Sequence, residues 1–161
     1  MVSRKGGENF LITIMDNALK LFRHFYINNK EYKLNHSKNR KNFVLRHAKS
    51  GAYLLVSYNN HRMKIVEGET PIGNSGKGIG TKLRALVTVL SNMTGLPTTQ
   101  IGMWFVSKRP NNKNNRPPTT RILRNKLGWR PLLQNNGTNM YRSIFDPKKN
   151  NASLARTVLS K

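Results

Sequence analysis

Residues Ser75 to Arg84, SGKGIGTKLR, hold the densest chemical signal in the chain. Gly76, Gly78 and Gly80 alternate there and run into a stretch of small, apolar and basic residues. Glycines let a backbone turn sharply and approach an anion closely, and a helix starting at that point adds unpaired N–H groups and positive dipole potential. The chemistry this predicts is phosphate binding by main-chain amides. Two familiar templates fail on spacing. A Walker loop using Gly76 and Lys77 needs Gly at 71 and Ser or Thr at 78, where the chain has Pro71 and Gly78. A dinucleotide fingerprint begun at Gly76 needs Gly or Ala at 81 and an acid about 20 residues further on. Thr81 stands there instead, and no Asp or Glu occurs between Glu69 and Asp146.

Asp16 is placed to cap a helix through Ala18, Leu19, Phe22, Phe25 and Tyr26, whose apolar spacing is helical. Asn28 to Lys41 is polar and basic and reads as a mobile connection. Phe43 to His47, Tyr53 to Tyr58 and Met63 to Val66 are aliphatic and aromatic runs separated by turn residues, which predicts an antiparallel meander. After the glycine loop, Leu83, Val87 and Leu90 mark one face of a helix from about Thr81 to Met93, stopped by Gly95 and Pro97. A strand over Gln100 to Val106, a basic Pro- and Asn-rich loop, a short helix through Leu123 to Leu127 capped by Thr119 or Thr120, and a hairpin of Trp129 to Leu133 with Met140 to Phe145 complete the order. Trp104 and Trp129 read as core residues.

Gly78, Ile79 and Gly80 followed by a helix resemble the acetyl-CoA signature of the GNAT superfamily of N-acetyltransferases, written Q/RxxGxG/A, with Ser75 where that family usually has Gln or Arg. Ile122 to Trp129, ILRNKLGW, resembles the family's LYxKxGF segment. The order of elements is similar too, so the resemblance covers residues 43 to 145. It implies an α/β fold of the α+β type, in which a mixed, mainly antiparallel sheet is flanked by helices. A single domain over residues 1–147 and a basic tail over 148–161 are expected, with Leu154, Val158 and Leu159 able to dock as a helical turn or two.

The same resemblance implies acetyl-CoA as cofactor. Its pyrophosphate would rest on Ser75, Gly76, Lys77, Gly78, Ile79, Gly80 and Thr81, and the strand from Gln100 would line a wedge in the sheet. Attack by an amine on a thioester needs that amine neutral, so a base, an oxyanion donor and a proton source for the leaving thiolate are expected. Glu67 and Glu69 are the candidate bases, with the alternative of a solvated pair countering nearby cations. The family's frequent Tyr falls on Arg124, which does not donate protons at neutral pH. Tyr141 is the alternative proton source, or a core aromatic.

Charge points to the partner. Of 161 residues, 29 are Lys or Arg and 6 are Asp or Glu, for a net charge of +23. That excess is far beyond what solubility needs and predicts contact with nucleic acid or another polyanion, within a larger assembly such as a ribonucleoprotein or a phage particle. Lys108, Arg109, Lys113 and Arg116 form the local candidate for phosphate contacts. The alternative is a solvated loop and a surface basic for other reasons. The absence of cysteine excludes disulfides and thiolate metal sites, and four scattered histidines lack metal-ligand spacing, so no metal is expected. No stretch is long and apolar enough to span a bilayer, and an intracellular or virion-enclosed location is expected. Two function classes follow: an acetyl-CoA-dependent N-acetyltransferase acting on an amine of a polyanionic or nucleic-acid-associated target, or a non-catalytic protein of that fold binding nucleic acid as a structural component.

Overall fold

A computed structural model of the chain describes residues 15–27, 30–69, 78–103, 118–132 and 140–161. Helix α1 covers residues 15–27. Four strands follow: β1 (Tyr32–His36), β2 (Asn42–His47), β3 (Tyr53–Tyr58) and β4 (Met63–Glu69). Helix α2 (Ile79–Thr94), strand β5 (Thr98–Met103) and helix α3 (118–126) come next. Strands β6 (Arg130–Pro131) and β7 (Met140–Phe145) and helix α4 (Ser153–Leu159) close the order. The strands form one mixed, mostly antiparallel sheet in the order β1-β2-β3-β4-β5-β7-β6, so the fold is of the α+β class.

The sheet buries one face only. Register places Tyr32, Leu34, Phe43, Leu45, Leu54, Val56, Met63, Ile65, Thr98, Gln100, Ser143 and Phe145 on the same side, and all are buried. Among the residues whose burial is described, none that alternates with them is buried; Lys33, Arg46, Lys64 and Arg142 are exposed, and Val44, Tyr53, Leu55, Ile101 and Ile144 are half-buried. Among the described residues the helices therefore pack on one side, as an antiparallel sheet with one wet face allows.

Three local expectations are corrected. The basic segment Asn28 to Lys41 contains β1, because Tyr32 and Leu34 alternate with Lys33 and Asn35 and supply an apolar edge for β2. Asp16 does not cap α1: residue 15 is already helical and buried, and the Asp16 carboxylate instead accepts from Arg40 Nη1 at 2.9 Å. Thr119 and Thr120 lie inside α3 rather than at its cap, with Pro118 ahead of them in the first turn, where its missing N–H costs nothing. Trp104 lies outside the described residues.

Helix α2 is the central post. Ten of its residues are buried, from Thr81 to Ser91, since it faces the sheet on one side and α4 on another. Gly95, at φ 75°, ends it in the left-handed conformation that glycine adopts without strain. The Trp129 indole N–H donates to Thr88 Oγ1 at 2.9 Å, and that hydroxyl donates to the Arg84 carbonyl at 2.8 Å. Ala152 and Ala155 bring α4 into the same core.

Candidate active site

Strands β4 and β5 pair in parallel over three positions only, Met63 with Thr98, Lys64 with Thr99 and Ile65 with Gln100. Both strands run on, β4 still paired to β3 as far as Glu69 and β5 still paired to β7 as far as Met103. The sheet thus parts after Ile65 into a V-shaped opening. A β-bulge lies at the point of separation. Val56 faces Ile65 while Leu55 faces Glu67, so Val66 is an extra residue in β4. A bulge bends its strand and reverses the alternation of side chains beyond it. Glu67 and Glu69, which simple alternation from Ile65 would send toward the helices, are placed on the open face, and Gly68 comes to the buried one.

Gly68 makes room for a charge. A Cβ there would lie 2.6 Å from Leu54 Cδ2 and 3.5 Å from Arg84 Nη2. On the β5 side, Arg84 Nε donates to Gln100 Oε1 at 3.0 Å, and Nη1 donates to the Gly80 carbonyl at 3.1 Å. The Arg84 guanidinium therefore spans the opening from beneath, 8% exposed, with no carboxylate within ion-pair distance among the described residues. Burial pushes its pKa down to about 10, so it remains a cation at neutral pH. A buried guanidinium facing only neutral acceptors is a costly feature and a strong donor to any oxygen that enters the opening.

The start of α2 adjoins it. Gly78, at φ 77°, precedes the helix without a side-chain cap, and the first helical bond is Lys82 N to Gly78 O at 3.0 Å. The amides of Ile79, Gly80 and Thr81 are therefore left without intrahelical acceptors. Beside them a cleft of about 450 Å³ is lined by Gly78, Thr81, Lys82, Lys126, Val158 and Lys161, among others. Three elements, α2, α3 and the C-terminal segment, converge their lysines on one helix N-terminus.

On the open face, Tyr53 Oη donates to Glu67 Oε1 at 2.7 Å, and Arg46 lies 5.1 Å above the Tyr53 ring. The hydrogen bond to Glu67 raises the Tyr53 pKa, with burial and the charges of Glu67 and Glu69 adding to it. Glu67 and Glu69 are thus brought together with Tyr53. Tyr141 is not: opposite Gly102, two residues from Ser143, it falls on the other face of the sheet. Gly78, Ile79, Gly80 and Thr81 lie at the uncapped start of α2. Ser75, Gly76 and Lys77, and Lys108, Arg109, Lys113 and Arg116, lie outside the described residues. Arg124 has a structural role, donating from Nε to Ser143 Oγ and from Nη2 to the Arg142 carbonyl, both at 3.0 Å, which ties α3 to β7.

Sequence reasoning missed Arg84, Gln100 and Tyr53. The signal for the first was present: Arg84, Thr88 and Ser91 make a polar stripe at helical spacing inside an otherwise apolar helix. Among the described residues no three His, Asp or Glu side chains cluster as metal ligands do. Nor is any described helix long and apolar enough to cross a membrane. No model of a known protein family matches this chain, and no curated protein matches it.

Proposed function

We propose that this protein is an N-acetyltransferase of the GNAT type that uses acetyl-CoA and acts on an amine carried by a polyanionic or nucleic-acid-associated target. The observation that carries the reading is the parting of β4 and β5 beside the uncapped start of α2. The residues present fit the cofactor. The amides of Ile79 to Thr81, with Lys82, Lys126 and Lys161, suit a pyrophosphate and a further phosphate. The opening beside Arg84 suits an extended chain with a carbonyl at its end. When bound, the cofactor supplies an acetyl group activated as a thioester. Arg84 supplies positive potential at the floor of the opening, where negative charge on a carbonyl oxygen is stabilised. Glu67 and Glu69 face the opposite, open side, where an acceptor ammonium is attracted and relieved of a proton.

Calorimetry with acetyl-CoA tests this. Saturable binding is expected, weakened at least tenfold by Lys82→Glu/Lys126→Glu; heatless mixing with well-folded protein rejects the reading. A second reading, a basic protein that keeps this fold and binds nucleic acid without acyl transfer as a structural component of a ribonucleoprotein or virion, is favoured by Arg124. The place of a familiar proton donor is there occupied by a tie between α3 and β7.

A further inference from the structure

The open face of the sheet carries a second cleft, apart from the one at the start of α2. About 230 Å³ in volume, it is lined by Arg62, Lys64, Thr99, Gln100, Ile101, Leu132 and Arg142. Its three cations come from three places in the chain: the turn before β4, β4 itself, and β7. The strand order β4-β5-β7 brings them together, with Lys64 opposite Thr99 and Arg142 opposite Ile101 on the strand between.

All three are exposed, and none of their side chains has a hydrogen-bond or ion-pair partner among the described residues. Among the described residues no acid lines the cleft. Three unneutralised cations converging on one concavity repel one another, and a protein keeps such an arrangement at a cost that a bound polyanion offsets. The floor matters as well. Thr99 offers a hydroxyl, while the half-buried Ile101 and the exposed Leu132 offer apolar surface. Charged forks above an apolar floor match a strand whose anionic backbone alternates with flat sugars and bases.

We infer that the Arg62, Lys64 and Arg142 cleft is a binding site for the phosphodiester backbone of a nucleic acid strand. It lies on the same face as Glu67 and Glu69, which follow Lys64 further along β4. This deepens the acceptor half of the function proposed above and rests on it for the strand's role, but not for its binding.

Fluorescence anisotropy with a labelled oligothymidylate of about 12 nucleotides tests the site. The variant Arg62→Gln/Lys64→Gln/Arg142→Gln is compared with Lys20→Gln/Lys148→Gln/Lys149→Gln, which removes equal charge from exposed positions elsewhere. The cleft variant is expected to bind at least tenfold more weakly, with the slope of log K against log salt reduced by about 2, as for three lost phosphate contacts on a single strand. The control is expected to change less than about threefold. Equal weakening of the two variants, or wild-type binding by the cleft variant, overturns the site. Polyglutamate of equal charge binding as tightly as the oligonucleotide, and equally dependent on the cleft, overturns the phosphodiester assignment in favour of an acidic protein partner. Calorimetry with acetyl-CoA on the cleft variant reads the transferase proposal separately, since its residues do not touch the α2 start.

Discussion

Arg84 Nε donates to Gln100 Oε1 at 3.0 Å, joining α2 to β5 at the last position where β5 is still paired with β4. Both side chains are buried. The pair does what a third strand contact does elsewhere, holding one wall of the opening in place while the other wall diverges.

Gln100→Leu leaves the guanidinium without that acceptor and is expected to cost about 1.5–3 kcal/mol, the range for a hydrogen bond to a charged group. Arg84→Met/Gln100→Leu removes both partners and is expected to recover much of the loss, because apolar replacement of a whole buried polar pair is far milder than orphaning one member. Urea denaturation of the two singles and the double closes the cycle; a single Gln100→Leu as stable as wild type contradicts the geometry.

Gly68→Ala places a methyl group 2.6 Å from Leu54 Cδ2 on the buried face. Leu54 must move within a packed core, and overpacking of that kind costs about 1–3 kcal/mol. A thermal melt of the variant measures it, and an unchanged midpoint would show that the face reversal at Val66 is wrong.

Thr88→Val keeps the shape of α2 and removes the hydroxyl that accepts from Trp129 Nε1. An unpaired buried indole N–H costs about 1–3 kcal/mol. Denaturation followed by tryptophan emission reports both the loss of stability and the altered surroundings of the ring.

His36 is held below its ordinary pKa of 6.5, by burial first and then by Arg23 and Arg40, with Asp16 opposing them. The unfolded chain therefore binds a proton that the folded chain resists. Stability from this residue is fully present above about pH 6.5 and declines as the pH falls below it. Chemical denaturation at about pH 7.5 and about pH 5.5 should show a smaller difference for His36→Gln than for wild type; equal differences would exclude His36 as the source.

Glu67→Gln replaces the carboxylate whose hydrogen bond, and with it whose charge, raises the Tyr53 pKa. Absorbance titration is expected to show Tyr53 ionising at lower pH in the variant. If the proposed transfer reaction is right, the same substitution lowers its rate by about 10²–10⁴, the usual contribution of a general base. The titration checks the contact independently of any activity.

The meander, α2 and its glycine stop, and the final hairpin were legible in the sequence because each is written in local alternation or local turn chemistry. So was the start of α2 at Gly78, a helix start without a side-chain cap. β1 was less legible, since five residues with two buried positions carry little periodic signal amid lysines and asparagines.

Local patterns in the chain thus set which segments are strands and helices, their order, and an excess of positive charge. Tertiary structure decided which way they face. One extra residue at Val66, visible only against the partner strand, turns Glu67 and Glu69 to the open side and Gly68 toward Arg84. Likewise the gathering of Arg62, Lys64 and Arg142 depends on β5 and β7 lying side by side beyond β4. Register and strand order are properties of pairs of segments far apart in the chain, and no local pattern encodes them.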